Sequence, residues 1–144
     1  MRTRALCASL LLAMLIPLGA QSEAISVIDF NGRKVTLDAP ARRIVALAPH
    51  NVENLFSAGA GEALVGVVSS SDFPEQARAL PQVGSFNASS LEAIAAVQPD
   101  LIVMWGSGNG PGTLAKLEVL GIPIFVSEPR KLQDIPRDIR ALGI

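Results

Sequence analysis

His50 is the only histidine of the chain, Trp105 its only tryptophan and Cys7 its only cysteine, so the residue types that carry most protein chemistry are scarce. One histidine with no thiolate beyond residue 7 cannot close a zinc shell, and carboxylates such as Glu53 and Asp72 stand isolated in sequence. Acyl transfer needs a nucleophile, a base and an orienter. His50 is the one base of the usual type, and no Gly-x-Ser-x-Gly elbow accompanies it, because Trp105 stands two residues before Ser107. The inventory therefore argues against an enzyme, a closed metal site or a resident cofactor. Two readings of His50 stay open: a polar loop residue after a strand, or a single axial ligand to a metal held by a macrocycle.

The turn Gly106-Ser107-Gly108-Asn109-Gly110 joins a strand to a helix, where backbone N–H groups could hold an anion. Its spacing fits no nucleotide motif: Pro111 and Gly112 follow where a P-loop needs Lys and Ser or Thr, and the third glycine of a dinucleotide fingerprint is missing. A tight turn at the carboxyl edge of a sheet is the simpler reading. Trp105 ends an apolar run, and Phe86 sits among Val83, Gly84, Ser85 and Asn87, small neighbours that give its ring little to pack on. Either ring can be ordinary core, or can face the crevice at the carboxyl ends of parallel strands. Ser89-Ser90-Leu91-Glu92 has the spacing of a capping box, with Ser89 as cap and Glu92 reaching back to it.

The elements that must position these residues follow from the apolar pattern. Ile25 to Phe30 and Arg33 to Leu37 flank Asn31-Gly32 and predict a hairpin with a two-residue turn. Ile44 to Ala48, Leu64 to Val68, Leu101 to Trp105 and Ile124 to Val126 are continuous apolar runs, the signature of strands buried on both faces. Between them the pattern predicts a helix capped by Asn51, with Val52, Leu55, Phe56 and Gly59 on one face, ending at Gly59 and Gly61. Further helices are expected over Ser89 to Val97 and Pro111 to Leu120, and an irregular or short helical passage over Asp72 to Pro81. A last helix is expected from Lys131 to Leu142, with Leu132, Ile135, Ile139 and Leu142 in register. Alternating strands and helices make a parallel α/β lobe preceded by a β-hairpin.

Arg2 and Arg4, the apolar run Ala5 to Ile16 and the break at Pro17 read as a secretory signal peptide over residues 1–24, with Ser22 and Ala24 as the small residues of the cleavage site. Cys7 lies inside it, so the exported chain has no disulfide. Across all 144 residues, 12 Lys and Arg balance 13 Asp and Glu, leaving no basic field for nucleic acid. A 49% hydrophobic share supplies a core for one domain.

Several stretches taken together resemble a known family. They are Arg42 to Pro49 with Glu53 and Leu55 downstream, Leu64-Val65-Gly66-Val67, Ser71-Asp72-Phe73-Pro74, Leu80 to Gly84, Leu91-Glu92-Ala93-Ile94, Gln98 to Ile102, Trp105 to Asn109 and Leu120 to Pro123. Their order and spacing are similar to the amino-terminal lobe of the periplasmic substrate-binding proteins of ABC importers for iron-siderophores, haem and cobalamin, and Trp105 to Asn109 points to the cobalamin members. The resemblance implies two α/β lobes joined by one long helix, with the ligand in the cleft between them. On that pattern residues 25–130 are the first lobe, residues 131–144 begin the interlobe helix, and the chain is a truncated, monomeric half. It further implies cobalamin as transported ligand, with Phe86 and Trp105 against the corrin, and Ser70 where some members carry a stacking tyrosine. Glu92 corresponds to the acidic residue that docks on the permease, which works with its ATPase. A haem or ferric siderophore is the alternative ligand, and His50 is the residue a haem reading needs. Outside the class stand an exported enzyme and a structural module.

Overall fold

The computed structural model describes residues 24–144, so the expected signal peptide lies, Ala24 apart, outside the described residues. Strands β1 (Ile25–Ile28) and β2 (Lys34–Leu37) form the expected antiparallel hairpin. Its loop differs from the two-residue turn that Asn31-Gly32 predicts: Ile28 pairs with Lys34, and residues 29–33 all lie outside the ladder. The reason is Asp29, 1% exposed, whose Oδ1 accepts from the backbone N–H of both Asn31 and Arg33 at 2.9 Å. The chain wraps around this carboxylate, and Gly32 supplies the left-handed step with φ +76°.

The centre is a four-stranded parallel sheet. Strands β3 (Ile44–Ala46), β4 (Leu64–Val67), β7 (Leu101–Trp105) and β8 (Ile124–Ser127) lie in the order β4-β3-β7-β8. Between β4 and β7 the chain makes a 3-10 turn over Glu75–Ala79 and a small hairpin, β5 (Gly84–Ser85) with β6 (Ala88–Ser89). Ile44, Ala46, Leu101, Val103 and Phe125 face one side of the sheet, under Val52 and Leu55 of helix α1 (Pro49–Ser57) and Ala141 and Leu142 of helix α4 (Asp134–Leu142). Val45, Leu47, Ile102, Met104, Ile124 and Val126 face the other, under Ile94 of helix α2 (Leu91–Ala96) and Leu117 of helix α3 (Thr113–Glu118). With helices on both faces each strand has no wet side, which is why its sequence is apolar throughout. A fully buried aliphatic side chain contributes about 1.5–3 kcal/mol, so these two layers hold the lobe together. Among the described residues no helix is long and apolar enough to cross a membrane.

Helix ends depart from the expected ones for local reasons. Asn51 does not cap α1: Pro49 occupies the first turn after an extended Ala48, its fixed φ setting the start, and Asn51 is buried inside the helix. Ser89 does not cap α2, because it pairs in β6; Ser90 caps instead, its hydroxyl accepting from Ala93 N–H at 3.2 Å and donating to Glu92 Oε2 at 2.9 Å. The reciprocal box is therefore not formed. The last helix begins at Asp134, whose Oδ2 accepts from the N–H of Arg130 and Lys131. Its expected apolar register also fails at one end, with Leu132 80% exposed and the fully buried position taken by Asp138.

Candidate functional site

Trp105 ends β7 on the side of the sheet that Leu101 and Val103 share with α1, and there it meets the first turn of that helix. The His50 ring stands edge-on to the indole, 5.2 Å between centroids. On the other side Phe86, at the tip between β5 and β6, lies 6.3 Å away and tilted by 37°. Residues from three separate stretches thus form a row of rings at the carboxyl edge, the part of an open parallel sheet where ligands bind. Trp105 and His50 are half-buried, whereas Phe86 remains 43% exposed with an apolar face available.

Two residues of the glycine-rich turn hold the rings. A Cβ at Gly108 would overlap the indole, so only glycine lets the ring of Trp105 lie down on its own turn. Asn109, 3% exposed, accepts from the Trp105 N–H through Oδ1 at 2.6 Å and donates through Nδ2 to Leu47 O at 2.7 Å and to Phe86 O. Three of the turn's five backbone N–H groups are already taken, Gly106 by Ser127 O, Asn109 by Trp105 O, and Ser107 by the Glu128 carboxylate at 2.7 Å, so an anion would have to compete with a carboxylate for them.

Behind the rings, α1 and α4 meet along a polar seam. Ser127, at the end of β8, donates to Asp138 Oδ2 at 2.6 Å, while Asp138 Oδ1, His50 Nε2 and both amide atoms of Asn51 are buried without a hydrogen-bond partner among the described residues. Burial pushes the His50 imidazole below its ordinary value, against the opposing pull of Asp138, Glu53 and Glu128. Burial pushes the Asp138 carboxyl up, with the Ser127 hydrogen bond and the charges of Arg137 and His50 working against it. His50 is therefore a neutral ring in the wall at neutral pH.

The remaining two candidates are exposed on other stretches of the chain. Ser70 is exposed in the loop leaving β4, in a left-handed conformation with φ +66°, and that loop is tied to the Phe86 hairpin by Ser69 N–H to Gly84 O at 2.8 Å. Glu92 is exposed in the first turn of α2, on the opposite face of the sheet from α1. Its own backbone N–H and the Ser90 hydroxyl hold its carboxyl below the ordinary range. Among the described residues no three His, Cys, Asp or Glu side chains gather into a group able to hold a metal. The residues that sequence reasoning missed are Asn109, which the sequence offers only as part of a turn, and Asp138. Asparagine closing a glycine-rich turn was the available signal for the first; an acid between Ile135 and Ile139 was the signal for the second.

A parallel α/β lobe that gathers aromatic rings at its carboxyl edge has the build of a small-molecule binding protein. The sequence agrees: the profile of the periplasmic binding protein family matches residues 44–144, and the chain belongs to that family. It is similar to the vitamin B12-binding protein of Vibrio campbellii, with 45% identity over 106 residues, 74% of this chain and 38% of that one. Among solved structures it is similar to the periplasmic vitamin B12 binding protein of Vibrio cholerae, with a TM-score of 0.69 and 43% identity over 72% of this chain and 41% of that chain. It is also similar to the periplasmic haem-binding protein of Roseiflexus sp. RS-1, with a TM-score of 0.59 and 30% identity over 72% of this chain and 43% of that chain. The chain thus spans well under half the length of these relatives.

Proposed function

We propose that the chain is the amino-terminal lobe of an exported, periplasmic substrate-binding component of an ABC importer, and that it captures cobalamin and hands it to the membrane permease. The observation that carries this is the pairing of Trp105 with the exposed Phe86 at the carboxyl edge. Flat apolar rings in a row suit the face of a corrin, and the two vitamin B12-binding relatives favour that ligand. In this reading residues 1–24 are the export signal, residues 25–130 the lobe and residues 131–144 the start of the helix to a second lobe. Ser70 sits on the loop beside the Phe86 hairpin, within the ligand rim, and Glu92 presents a carboxylate to basic side chains of the permease.

Trp105 is the sole tryptophan, so its fluorescence reports on the site alone. Cyanocobalamin titrated into the chain is expected to quench it saturably, with calorimetry on the same samples separating binding from light absorption by the ligand. Burying Phe86 contributes on the order of 1–3 kcal/mol, so Phe86→Ala is expected to weaken binding about five- to 150-fold without unfolding the protein. Unchanged emission and no heat at saturating ligand would return both rings to ordinary packing. Haemin giving a Soret shift that His50→Ala abolishes would replace cobalamin by haem.

A further inference from the structure

Phe86 and Trp105 come from separate stretches, a hairpin tip and a strand end, and a tilted ring pair at 6.3 Å does not by itself fix its own distance and tilt. The candidate is a single side chain. Asn109 uses its carbonyl oxygen on the Trp105 N–H and its amide nitrogen on two carbonyls, Leu47 O at the exit of β3 and Phe86 O at the hairpin tip. The exit of β3 and the backbone segments that carry the indole and the phenyl ring are thereby tied to one planar group that is itself 3% exposed. We propose that Asn109 is a positioning residue that sets the spacing of the two rings and so preorganises the wall on which a flat ligand lies.

The chemistry selects asparagine. The three bonds need one acceptor and two donors in one plane at the end of a short stem. Aspartate keeps the acceptor and loses both donors, leaving a carboxylate against two carbonyl oxygens. Glutamine carries the same groups one methylene too far. The inference rests on the proposed ligand face, because it concerns how that face is held; its readouts in ligand-free protein do not depend on any ligand.

The first measurement needs no variant. In 15N spectra of the ligand-free protein, the Asn109 side-chain NH2 and the Trp105 backbone N–H are expected to exchange slowly with solvent. Exchange at the rate of a solvated amide would overturn the proposal. The second compares Asn109→Ala with Asn109→Asp. Alanine is expected to abolish the near-ultraviolet circular dichroism of Trp105 while far-ultraviolet signal persists; aspartate, which still accepts from Trp105 N–H, is expected to retain part of it. A full Trp105 signal in the alanine variant would overturn the proposal. The third is a double-mutant cycle on cyanocobalamin affinity. Asn109→Ala alone is expected to weaken binding roughly tenfold or more, and much less once Phe86 is already alanine, because the residue acts through that ring. Losses that simply multiply would assign Asn109 a general stabilising role. If wild type does not bind cyanocobalamin, the ligand assignment fails, while the exchange and dichroism readings still decide the role of Asn109.

Discussion

The two faces of the central sheet are packed by the same device, a pair of helices, yet they bury different chemistry. Under α2 and α3 the buried helix residues are Ile94 and Leu117, both aliphatic. On the other side α1 buries Asn51 and Asn54 beside Val52 and Leu55, and the buried residue of α4 is Asp138. An apolar group gains from burial wherever it goes, whereas a buried polar group without a partner costs about 1–3 kcal/mol. The α2–α3 face is thus built for stability, and the α1–α4 face gives some of that stability up. It does so next to His50 and Trp105, where the candidate site lies.

The contrast can be broken most severely from the dry side. Ile102 is fully buried under α2 and α3, and Ile102→Ala is expected to destabilise the lobe by about 2–5 kcal/mol through lost transfer energy and the cavity left behind. Urea unfolding measures the loss. In the fraction that stays folded, Trp105 emission and its response to cyanocobalamin are expected to match wild type. A shift in both would mean that the two faces are not separable.

The polar side should answer an apolar change with the opposite sign. Both amide atoms of Asn51 are buried without a partner among the described residues, so Asn51→Leu, which keeps the branched shape of the side chain, removes a desolvation cost. A gain of about 1 kcal/mol in unfolding free energy is expected. Destabilisation of similar size would show that the amide is satisfied in solution and that the seam is not the weak side of the lobe.

What is readable in the sequence, and what is not, divides between local pattern and distant partners. Strands such as Leu101 to Trp105 and the amino-terminal hairpin of β1 and β2 follow from apolar runs and turn residues, because both leave a local signature. The start of α2 was displaced by one residue, since Ser89 had a strand partner that spacing alone does not disclose. Asp138 defeats the amphipathic reading of α4 because its burial depends on Ser127, a partner on β8. The ring wall was half legible. Trp105 and Phe86 stood out as residue types, but their meeting depends on Asn109 bonding to Leu47 and Phe86, contacts between distant parts of the chain that leave no periodic trace.

The smallest expected effects separate cap from charge at the start of α2, on the dry side of the molecule. Ser90→Ala removes the acceptor for Ala93 N–H and is expected to cost about 1 kcal/mol of stability, as loss of an N-cap does. Glu92→Gln leaves that cap in place and removes only a charge that faces water. The Glu92 carboxyl is held below its ordinary range by its own N–H and the Ser90 hydroxyl, so the folded state binds its proton less readily than the unfolded chain. Its stabilisation is therefore present above the ordinary carboxylate range and lost as pH falls through the lowered folded value. A slight difference in thermal midpoint between wild type and Glu92→Gln is expected at pH 7, shrinking as the pH falls below the ordinary carboxylate range. If the carboxylate also docks on the permease, Glu92→Gln has a second effect that Ser90→Ala lacks: association with the permease and cobalamin uptake fall while cobalamin affinity in solution stays the same. Parallel midpoint, ligand-binding and permease-association measurements on both variants decide it. Normal association for Glu92→Gln would leave Glu92 with its Ser90 hydrogen bond and the helix N-terminus as its whole role.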